Sequence, residues 1–421
     1  MEKILRTGEK LIPRRLYNFF QPIYHWKLAL LGALIYRFPS KKIKVIGVTG
    51  TKGKSSTVEI INAILEEAGY KTALTNTIRF KIDDNSDRNM YKMSMPGRFF
   101  MQSFIRRAVQ AQCEYAVLEM TSQGAFFYRD RFIDLDAFVF TNLSPEHIEA
   151  HGSYENYINE KVGIARRLGK SSKKDRTLVV NGDDKESGRF LQAKADRKIT
   201  YKLKDAEPYE IKKEGIDFTW SGKRIHSPLS GLFNLYNILA AITVAKSQNV
   251  SDEVIVRAIE KFKDIPGRVQ KIEAGQDFEV IVDYAHTTDS MEKLFQTFPN
   301  SRKICVFGST GGGRDTWKRP EMGSVADKYC DEIILTDDDS YDEDPHKIVQ
   351  EIAKGITENK PTLLVDRREA IKKALRCAKS GDVVLLIGKG TDPYLMGPNG
   401  KKTPWSDAEI AREELQKIRK L

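Results

Sequence analysis

The stretch from Ile43 to Ala68 constrains the fold more than any other. Ile43 to Val48 is rich in β-branched residues, and Thr49-Gly50-Thr51-Lys52-Gly53-Lys54-Ser55-Ser56 is a glycine-rich turn. Val58, Ile61, Ile64 and Leu65 then recur at helical spacing until Gly69. Strand, turn and helix in that order predict a βα unit whose connection binds phosphate. Glycines let backbone N–H groups approach phosphate oxygens, and the helix N-terminus adds partial positive charge. Lys54 is placed to reach the β- and γ-phosphates, and the Ser55 hydroxyl to ligate Mg²⁺. The loop departs from the strict pattern, because Val48 and not glycine stands five positions before Gly53.

The same alternation continues along the chain. Apolar strands are expected at Tyr115 to Leu118, Ala137 to Phe140 and Thr177 to Val180, with helices at Phe99 to Ala111 and Tyr154 to Leu168. A second series follows the Pro266-Gly267 punctuation, with strands at Val280 to Val282, Lys303 to Phe307, Glu332 to Leu335 and Val383 to Ile387. The expected class is α/β: a P-loop central domain with a mostly parallel sheet, then a C-terminal Rossmann-like α/β domain. The expected boundaries are 1–42 for a short basic helical segment, 43–266 for the ATP-binding domain and 267–421 for the second domain. Charge and weak alternation between Lys185 and Lys223 predict small antiparallel strands or an insertion.

Charge placement excludes one obvious class. The chain carries a net +11, but residues 1–44 alone hold ten Lys or Arg against Glu2 and Glu9, so +8 of it is local. A confined basic segment fits an anionic surface or a phosphorylated ligand better than a nucleic-acid groove, and no nucleic acid is expected. The apolar stretch Leu28 to Tyr36 is too short to span a bilayer and has no cleavage signature, so a cytoplasmic protein is expected. Cys113, Cys305, Cys330 and Cys377 lie far apart with no CxxC pair, which predicts neither a zinc ribbon nor disulfides.

Further motifs make the chain resemble the Mur ligase family. The loop Gly50 to Ser55 after an Ile-Gly-Val-Thr strand is similar to that family's nucleotide loop, and other segments follow in family order. They are Glu119 to Gln123, Thr141 to His147, His151-Gly152, Tyr157 with Lys161, Gly231 to Asn237, Gly267-Arg268, Asp283 to Ser290, Gly311 to Pro320 and Gly388-Lys389-Gly390. The resemblance covers roughly residues 43–410 and is nearest the MurE branch. It implies an ATP-dependent ligase that activates a carboxylate as an acyl phosphate and joins an amino acid to it. ATP and Mg²⁺ are the implied cofactors, and a muramyl peptide or related cell-wall precursor the acceptor.

By the same resemblance Glu119 and His147 hold Mg²⁺ with Ser55, and Lys161 is carbamylated. Gly50, Thr51, Lys52, Gly53, Lys54, Ser55 and Ser56 cradle the phosphates, Asn237 lies near the adenine, and Arg268, Asp283 and His286 reach the nucleotide. Read without the family, Glu119 is a solvated loop carboxylate, Lys161 a surface lysine, Asn237 a cap and His286 a structural histidine. Ser122 and Arg129 fit positions that touch the acceptor, and Arg314 the arginine that grips the amino acid's carboxylate.

Substrate positions depart from the family. Members using diaminopimelate carry Asp-Asn-Pro-Arg where Asp338-Asp339-Ser340-Tyr341 stands, so Tyr341 replaces the arginine for the second carboxylate. Gly388-Lys389-Gly390-Thr391-Asp392 ends differently too, and Gln123 and Phe127 replace a histidine and a glutamine. With Asp339, Asp342, Glu343 and Asp344 nearby, repulsion is expected to disfavour a side chain ending in a carboxylate. The family usually has a uridine-binding domain of about one hundred residues before the loop, and residues 1–42 are too few for it. Phe19, Phe20, Tyr24, Trp26, Leu28, Leu30, Leu31, Leu34 and Ile35 predict a helical hairpin packed on the ATPase domain, or a segment lying on the inner membrane face. Alternatives are a Mur-like ligase acting on a lipid-linked or non-murein acceptor, a P-loop switch or motor driven by hydrolysis, and a silent scaffold on the ligase fold.

Overall fold

The computed structural model describes residues 14–144, 152–212, 214–313 and 316–418, without the side chains of 14–19. His147 and Arg314, like residues 1–13 of the basic segment, lie outside the described residues. The chain forms two compact units, one of residues 1–87, 93–203 and 237–255, the other of 88–92, 204–236 and 256–421.

The first unit is built on an eight-stranded sheet of order β4-β3-β2-β5-β1-β6-β7-β8. Its strands are β1 (Lys44–Thr49), β2 (Thr72–Thr75), β3 (Arg79–Ile82), β4 (Asn85–Arg88), β5 (Tyr115–Glu119), β6 (Ala137–Phe140), β7 (Thr177–Asn181) and β8 (Arg197–Tyr201). From β2 to β8 neighbouring strands run parallel, and β3 is antiparallel to β2. β2, β5, β6 and β7 are buried along their whole length, as both-face coverage of a parallel sheet requires. Phe104 and Ile105 of one helix (Arg98–Gln110) and Tyr157, Ile158 and Val162 of another (Tyr154–Leu168) pack with Val45, Leu118, Phe138 and Phe140. The helix after β1 (Lys54–Glu67) buries Val58, Ile61, Ile64 and Leu65.

The basic segment is one helix, Arg14–Ile35, and not the expected hairpin among the described residues. Pro22 lies inside it. Its inward face carries Ala29, Gly32 and Ala33, with Gly32 against Phe99. On the opposite face Phe20, Ile23, Tyr24, Leu31, Leu34 and Ile35 are exposed, within an arc of about 120° at 100° per residue. Exposed Lys27 shares that arc, so the helix is largely apolar with one cation where it meets water, unlike an ordinary surface helix. No described helix is long and apolar enough to cross a membrane.

The second unit has a six-stranded sheet of order β12-β13-β17-β14-β15-β16, parallel except for β12. These strands are β12 (Gln270–Lys271), β13 (Glu279–Asp283), β14 (Lys303–Phe307), β15 (Glu332–Leu335), β16 (Thr362–Leu363) and β17 (Val383–Ile387). Met291, Phe295, Met322, Ala326, Val349 and Ile352 cover one face, and Ile371, Ala374, Leu375, Ala411 and Leu415 the other. The stretch Lys185 to Lys223, expected to form small antiparallel strands or an insertion, begins instead with a short helix (Ser187–Leu191) and the parallel strand β8. Only from Tyr209 onward does it form the antiparallel sheet β9 (Tyr209–Lys212), β10 (Gly215–Trp220) and β11 (Lys223–Ser227).

The cysteine reading needs correction. Cys305 on β14 and Cys330 after the helix Lys318–Tyr329 form a disulfide, their Cα atoms 6.2 Å apart. Spacing along the chain could not show this, because the two cysteines, 25 residues apart, meet only when β14 and the chain entering β15 lie side by side.

Candidate active site

Because β1 lies between β5 and β6, the carboxyl ends of three strands meet at the glycine-rich loop. Val48 pairs with Glu119 and Thr49 with Phe140, so Glu119 and the segment after β6 flank the loop on its two sides. Ligands of open α/β sheets bind at this edge.

The loop is braced from the β6 side. Thr51 N donates to Asn142 O at 2.8 Å and Lys52 N to Asn142 Oδ1 at 2.9 Å, while Thr141 Oγ1 donates to Lys52 O at 2.8 Å. Thr51 Oγ1 lies 2.9 Å from the Tyr157 hydroxyl and accepts from Ser144 N at 3.0 Å. Gly53 sits at φ +78°, where a Cβ would collide with Asn237 Oδ1, so only glycine fits. Asn237 is buried, and its Oδ1 accepts from Thr57 Oγ1 at 3.3 Å. Its described role is thus to back the loop, and Ser56 is buried in the first turn behind it.

Glu119 is buried, contrary to the solvated reading. Its Oε2 accepts from Ser55 Oγ at 2.6 Å and from Thr77 N at 3.1 Å, and Ser55 Oγ lies 2.8 Å from Thr77 Oγ1. These are hard oxygen donors clustered at the mouth of a phosphate loop, a set that fits Mg²⁺. Thr77 has no sequence signal and enters only because β2 pairs with β5. Lys54 Nζ donates to Thr51 O at 2.8 Å. Lys161 is 2% exposed, so the surface reading fails; its Nζ donates to Gly50 O and lies 4.8 Å from the Tyr157 ring centroid. Glu119, Ser55, Lys54 and Lys161 are therefore brought together around one loop.

Ser122 is buried at the start of a short helix, Ser122–Phe126, capped by Thr121. Arg129 Nη1 donates to Met95 O at 2.6 Å, and the guanidinium lies 5.3 Å from the Phe127 ring centroid.

The second unit collects its own polar cluster at the carboxyl edge. Asp339 is buried and accepts from Lys389 Nζ and Met396 N, each at 2.8 Å, and from Lys92. Lys92 also pairs with Asp392 at 2.9 Å, and Lys389 lies 3.6 Å from Asp338. Burial pushes the Asp339 carboxyl up, but Lys389 and Lys92 outweigh it and hold it below the usual range. Asp338 is pushed up by burial despite Lys389. Gly388 at φ +108° lets the chain pass Asp338, where a Cβ would collide with the carboxylate. Asp339 and Tyr341 both have positive φ, at 59° and 53°, a conformation costing about 1–2 kcal/mol for a residue such as tyrosine.

Asp283 spends both oxygens on backbone, from Val269 N at 2.8 Å and Ala285 N at 2.7 Å. His286 Nδ1 lies 2.7 Å from Tyr284 O, and Arg268 stacks 4.4 Å over the Tyr284 ring. Arg268 also lines a cavity of about 340 Å³ with Ser230, Asn234, Lys263 and Arg412.

The acids near Tyr341 form only part of the repulsive field expected of them. Asp339 is paired with two lysines, Asp342 accepts from Asn399 N at 2.7 Å, Glu343 pairs with Arg319 at 2.8 Å, and Asp344 caps the helix Pro345–Ala353. Asp339 and Glu343 are thus paired with cations, while Asp342 and Asp344 keep their charge and only accept from backbone N–H groups, a division that linear proximity cannot reveal.

Comparison with known proteins places this architecture. Residues 48–245 match the Mur ligase middle domain and residues 267–390 the Mur ligase glutamate ligase domain. The chain is 37% identical over 404 residues to a UDP-N-acetylmuramoyl-L-alanyl-D-glutamate–2,6-diaminopimelate ligase of Syntrophomonas wolfei, covering 92% of this chain and 81% of that protein. It is 37% identical over 410 residues to a UDP-N-acetylmuramyl-tripeptide synthetase of Borreliella burgdorferi, covering 92% and 79%. A solved diaminopimelate ligase superposes with a TM-score of 0.62 at 27% identity, covering 90% of this chain and 79% of the other. With the loop, its carboxylate and two lysines in place, the chain belongs to the Mur ligase family, in its MurE-like branch, and is an ATP-dependent ligase that forms an amide bond.

Proposed function

We propose that the chain joins an amino acid to the carboxylate of a muramyl peptide or related cell-wall precursor, in the cytoplasm. The observation that carries this reading is the cluster of Ser55, Glu119 and Thr77 oxygens beside Lys54 and Lys161 at the loop. Residues 43–266 would bind the nucleotide and 267–421 the amino acid. Ser55 and Glu119 would hold Mg²⁺, with His147 as a further ligand, and the ion would neutralise charge between the phosphates and the acceptor.

In this reading the glycine-rich loop and the backbone N–H groups at the start of the helix Lys54–Glu67 hold the phosphates, while the N–H groups of Thr51 and Lys52 keep the loop braced on Asn142. Lys54 leaves the Thr51 carbonyl for the γ-phosphate and offsets the charge that develops there. The acceptor's carboxylate oxygen attacks the γ-phosphorus and ADP departs. The amine of the amino acid then attacks the acyl carbon, phosphate leaves, and the amine proton passes to solvent. Ser122 and Arg129 would position the acceptor. Arg314 would hold the amino acid's α-carboxylate, with Asp339, Tyr341, Gly388 and Asp392 shaping the side-chain site. Arg268, Asp283, His286 and Asn237 would frame the nucleotide.

Release of ADP and phosphate that depends on both an amino acid and a muramyl-peptide acceptor tests the whole reading. Hydrolysis without an amino acid would favour a P-loop switch, and no turnover a scaffold. Among amino acids, lysine or another basic or neutral one is expected to exceed diaminopimelate in kcat/KM. With Asp339 and Glu343 already paired with cations, this rests chiefly on Tyr341, which offers no cation to a second carboxylate. A preference for diaminopimelate would overturn it.

The exposed apolar face of the helix Arg14–Ile35 is proposed as a peripheral contact with the inner membrane surface. Basic residues near anionic headgroups add roughly 1 kcal/mol each. Co-sedimentation with anionic vesicles is expected at low salt, to weaken at high salt, and to vanish for a chain starting at Lys41. Equal sedimentation of the shortened chain would exclude this role.

A further inference from the structure

The same helix brings His25 to a group of cations that has no acidic counterpart. Arg98 Nη2 contacts His25 Nδ1, and the His25 ring lies edge-on to Phe127 at 5.5 Å and to Tyr128 at 6.4 Å. Arg129, which stacks on the same Phe127, donates to Met95 O and, at 3.2 Å, to Met93 Sδ. Among the described residues no carboxylate pairs with Arg98 or Arg129. A guanidinium has five N–H donors, so most of the donors of both arginines are unspent. A guanidinium cannot accept, so His25 Nδ1 accepts from Arg98 and the ring proton sits on Nε2. That atom and Arg98 Nε are enclosed and have no hydrogen-bond partner.

The energetics are those of a site waiting for an anion. Arg98 and Arg129 are half-buried, and holding two cations partly out of water without a counter-charge is costly, a cost that a bound anion would offset. Burial and then Arg129 pull Arg98 below its usual range, and burial does the same to Arg129. Burial, then Arg98 and Arg129, push His25 down to about 4, so the imidazole is neutral at physiological pH. The other titratable groups facing it are the phenols of Tyr24 and Tyr128, the latter under Arg131, and none supplies a negative charge there. Arg98 also opens its helix, and the cap residue Gly97 has no side chain to accept the first-turn N–H groups.

We propose that His25, Arg98 and Arg129 form a binding site for a doubly charged phosphate-class oxyanion, a diphosphate carried by the soluble acceptor. Two guanidiniums match a dianion, whereas a single carboxylate leaves one positive charge uncompensated. That the diphosphate belongs to the acceptor rests on the ligase reading above, through Arg129. The existence of the oxyanion site does not. His25 and Arg98 come from segments that none of the motifs includes, so they act here as specificity residues, His25 supplied by the N-terminal helix and Arg98 by the first turn of the helix Arg98–Gln110.

The chain has six histidines, so imidazole NMR of the full-length protein resolves His25, with His25→Gln giving the assignment. Inorganic pyrophosphate is the probe. Its negative charge is expected to raise the His25 pKa from about 4 by at least about one pH unit. Arg98→Gln is expected to abolish most of that pyrophosphate-induced rise, and Arg98→Lys, which keeps the charge, to retain a good part of it. Because the signal comes from His25, pyrophosphate occupying the glycine-rich loop does not mimic it. L-glutamate at equal concentration is expected to move the resonance far less. Phosphatidylglycerol vesicles are expected to be no better than pyrophosphate. The proposal is overturned if pyrophosphate leaves the His25 titration unchanged, if Arg98→Gln responds like the wild type, or if only glutamate or only the vesicles act. Amino-acid-dependent ADP release, measured separately, reports on the ligase reading, so failure of one is not confused with failure of the other.

Discussion

Lys54→Ala is expected to lower amino-acid-dependent ADP release by at least about 10²-fold. In the structure the ammonium rests on the Thr51 carbonyl at 2.8 Å, inside the loop it serves. From there a rotation of a long, flexible side chain carries it to the phosphates without any change in the backbone. Alanine removes the only part of the residue that contributes to transition-state charge while keeping a good helix former at the first position of the helix Lys54–Glu67. The loop bracing by Asn142 and Thr141 runs through backbone groups of Thr51 and Lys52 and is untouched. The melting temperature is therefore expected to stay close to that of the parent while turnover collapses. Near-normal ADP release from the variant would show that Lys54 is not the phosphate lysine.

Lys161→Ala is expected to cost a comparable factor, for a different reason. We propose that this lysine works as its carbamate, formed when the uncharged amine adds carbon dioxide and loses a proton. Its Nζ is buried beside the Gly50 carbonyl and the Tyr157 ring, and carbamylation there would place an anionic oxygen pair next to the metal-binding side of the loop. Loss of the carbamate is expected to lower turnover by about 10²-fold or more, and a small added carboxylic acid to restore part of it to the alanine variant. A cationic replacement such as Lys161→Arg is expected to be inactive. An unmodified ammonium in well-ordered active protein, together with full activity of Lys161→Ala, would count decisively against the carbamate.

The readings that hold best are those that depend on neighbours a few residues apart. The strands Ala137–Phe140, Lys303–Phe307, Glu332–Leu335 and Val383–Ile387 and the helix Tyr154–Leu168 lie where the pattern put them. Fully buried strands must be continuously apolar and amphipathic helices must repeat at 3.6 residues, so burial is written into local order. The Gly-Lys-Ser loop is legible for a similar reason, since one contiguous turn supplies its backbone and its chemistry.

What local order could not supply is the state of each charge. Lys161 looks like any surface lysine until the helix Tyr154–Leu168 packs against the sheet and turns it toward Gly50. Asp339, Asp342, Glu343 and Asp344 read as a field of negative charge, yet lysines, an arginine and backbone N–H groups from distant segments neutralise or occupy them. The disulfide between Cys305 and Cys330 likewise depends on β14 lying beside the chain that leads into β15.

The sequence by itself therefore determined the α/β architecture, the phosphate loop and the family, because these rest on short-range periodicity and contiguous motifs. Only the tertiary structure decided which charges are paired. Thr77 joins Ser55 and Glu119, Lys92 and Lys389 converge on Asp339, and His25 meets Arg98 from 73 positions away. The physical reason is that Coulomb and desolvation energies depend on distance and burial in space, and neither quantity is expressed in the spacing of residues along a chain.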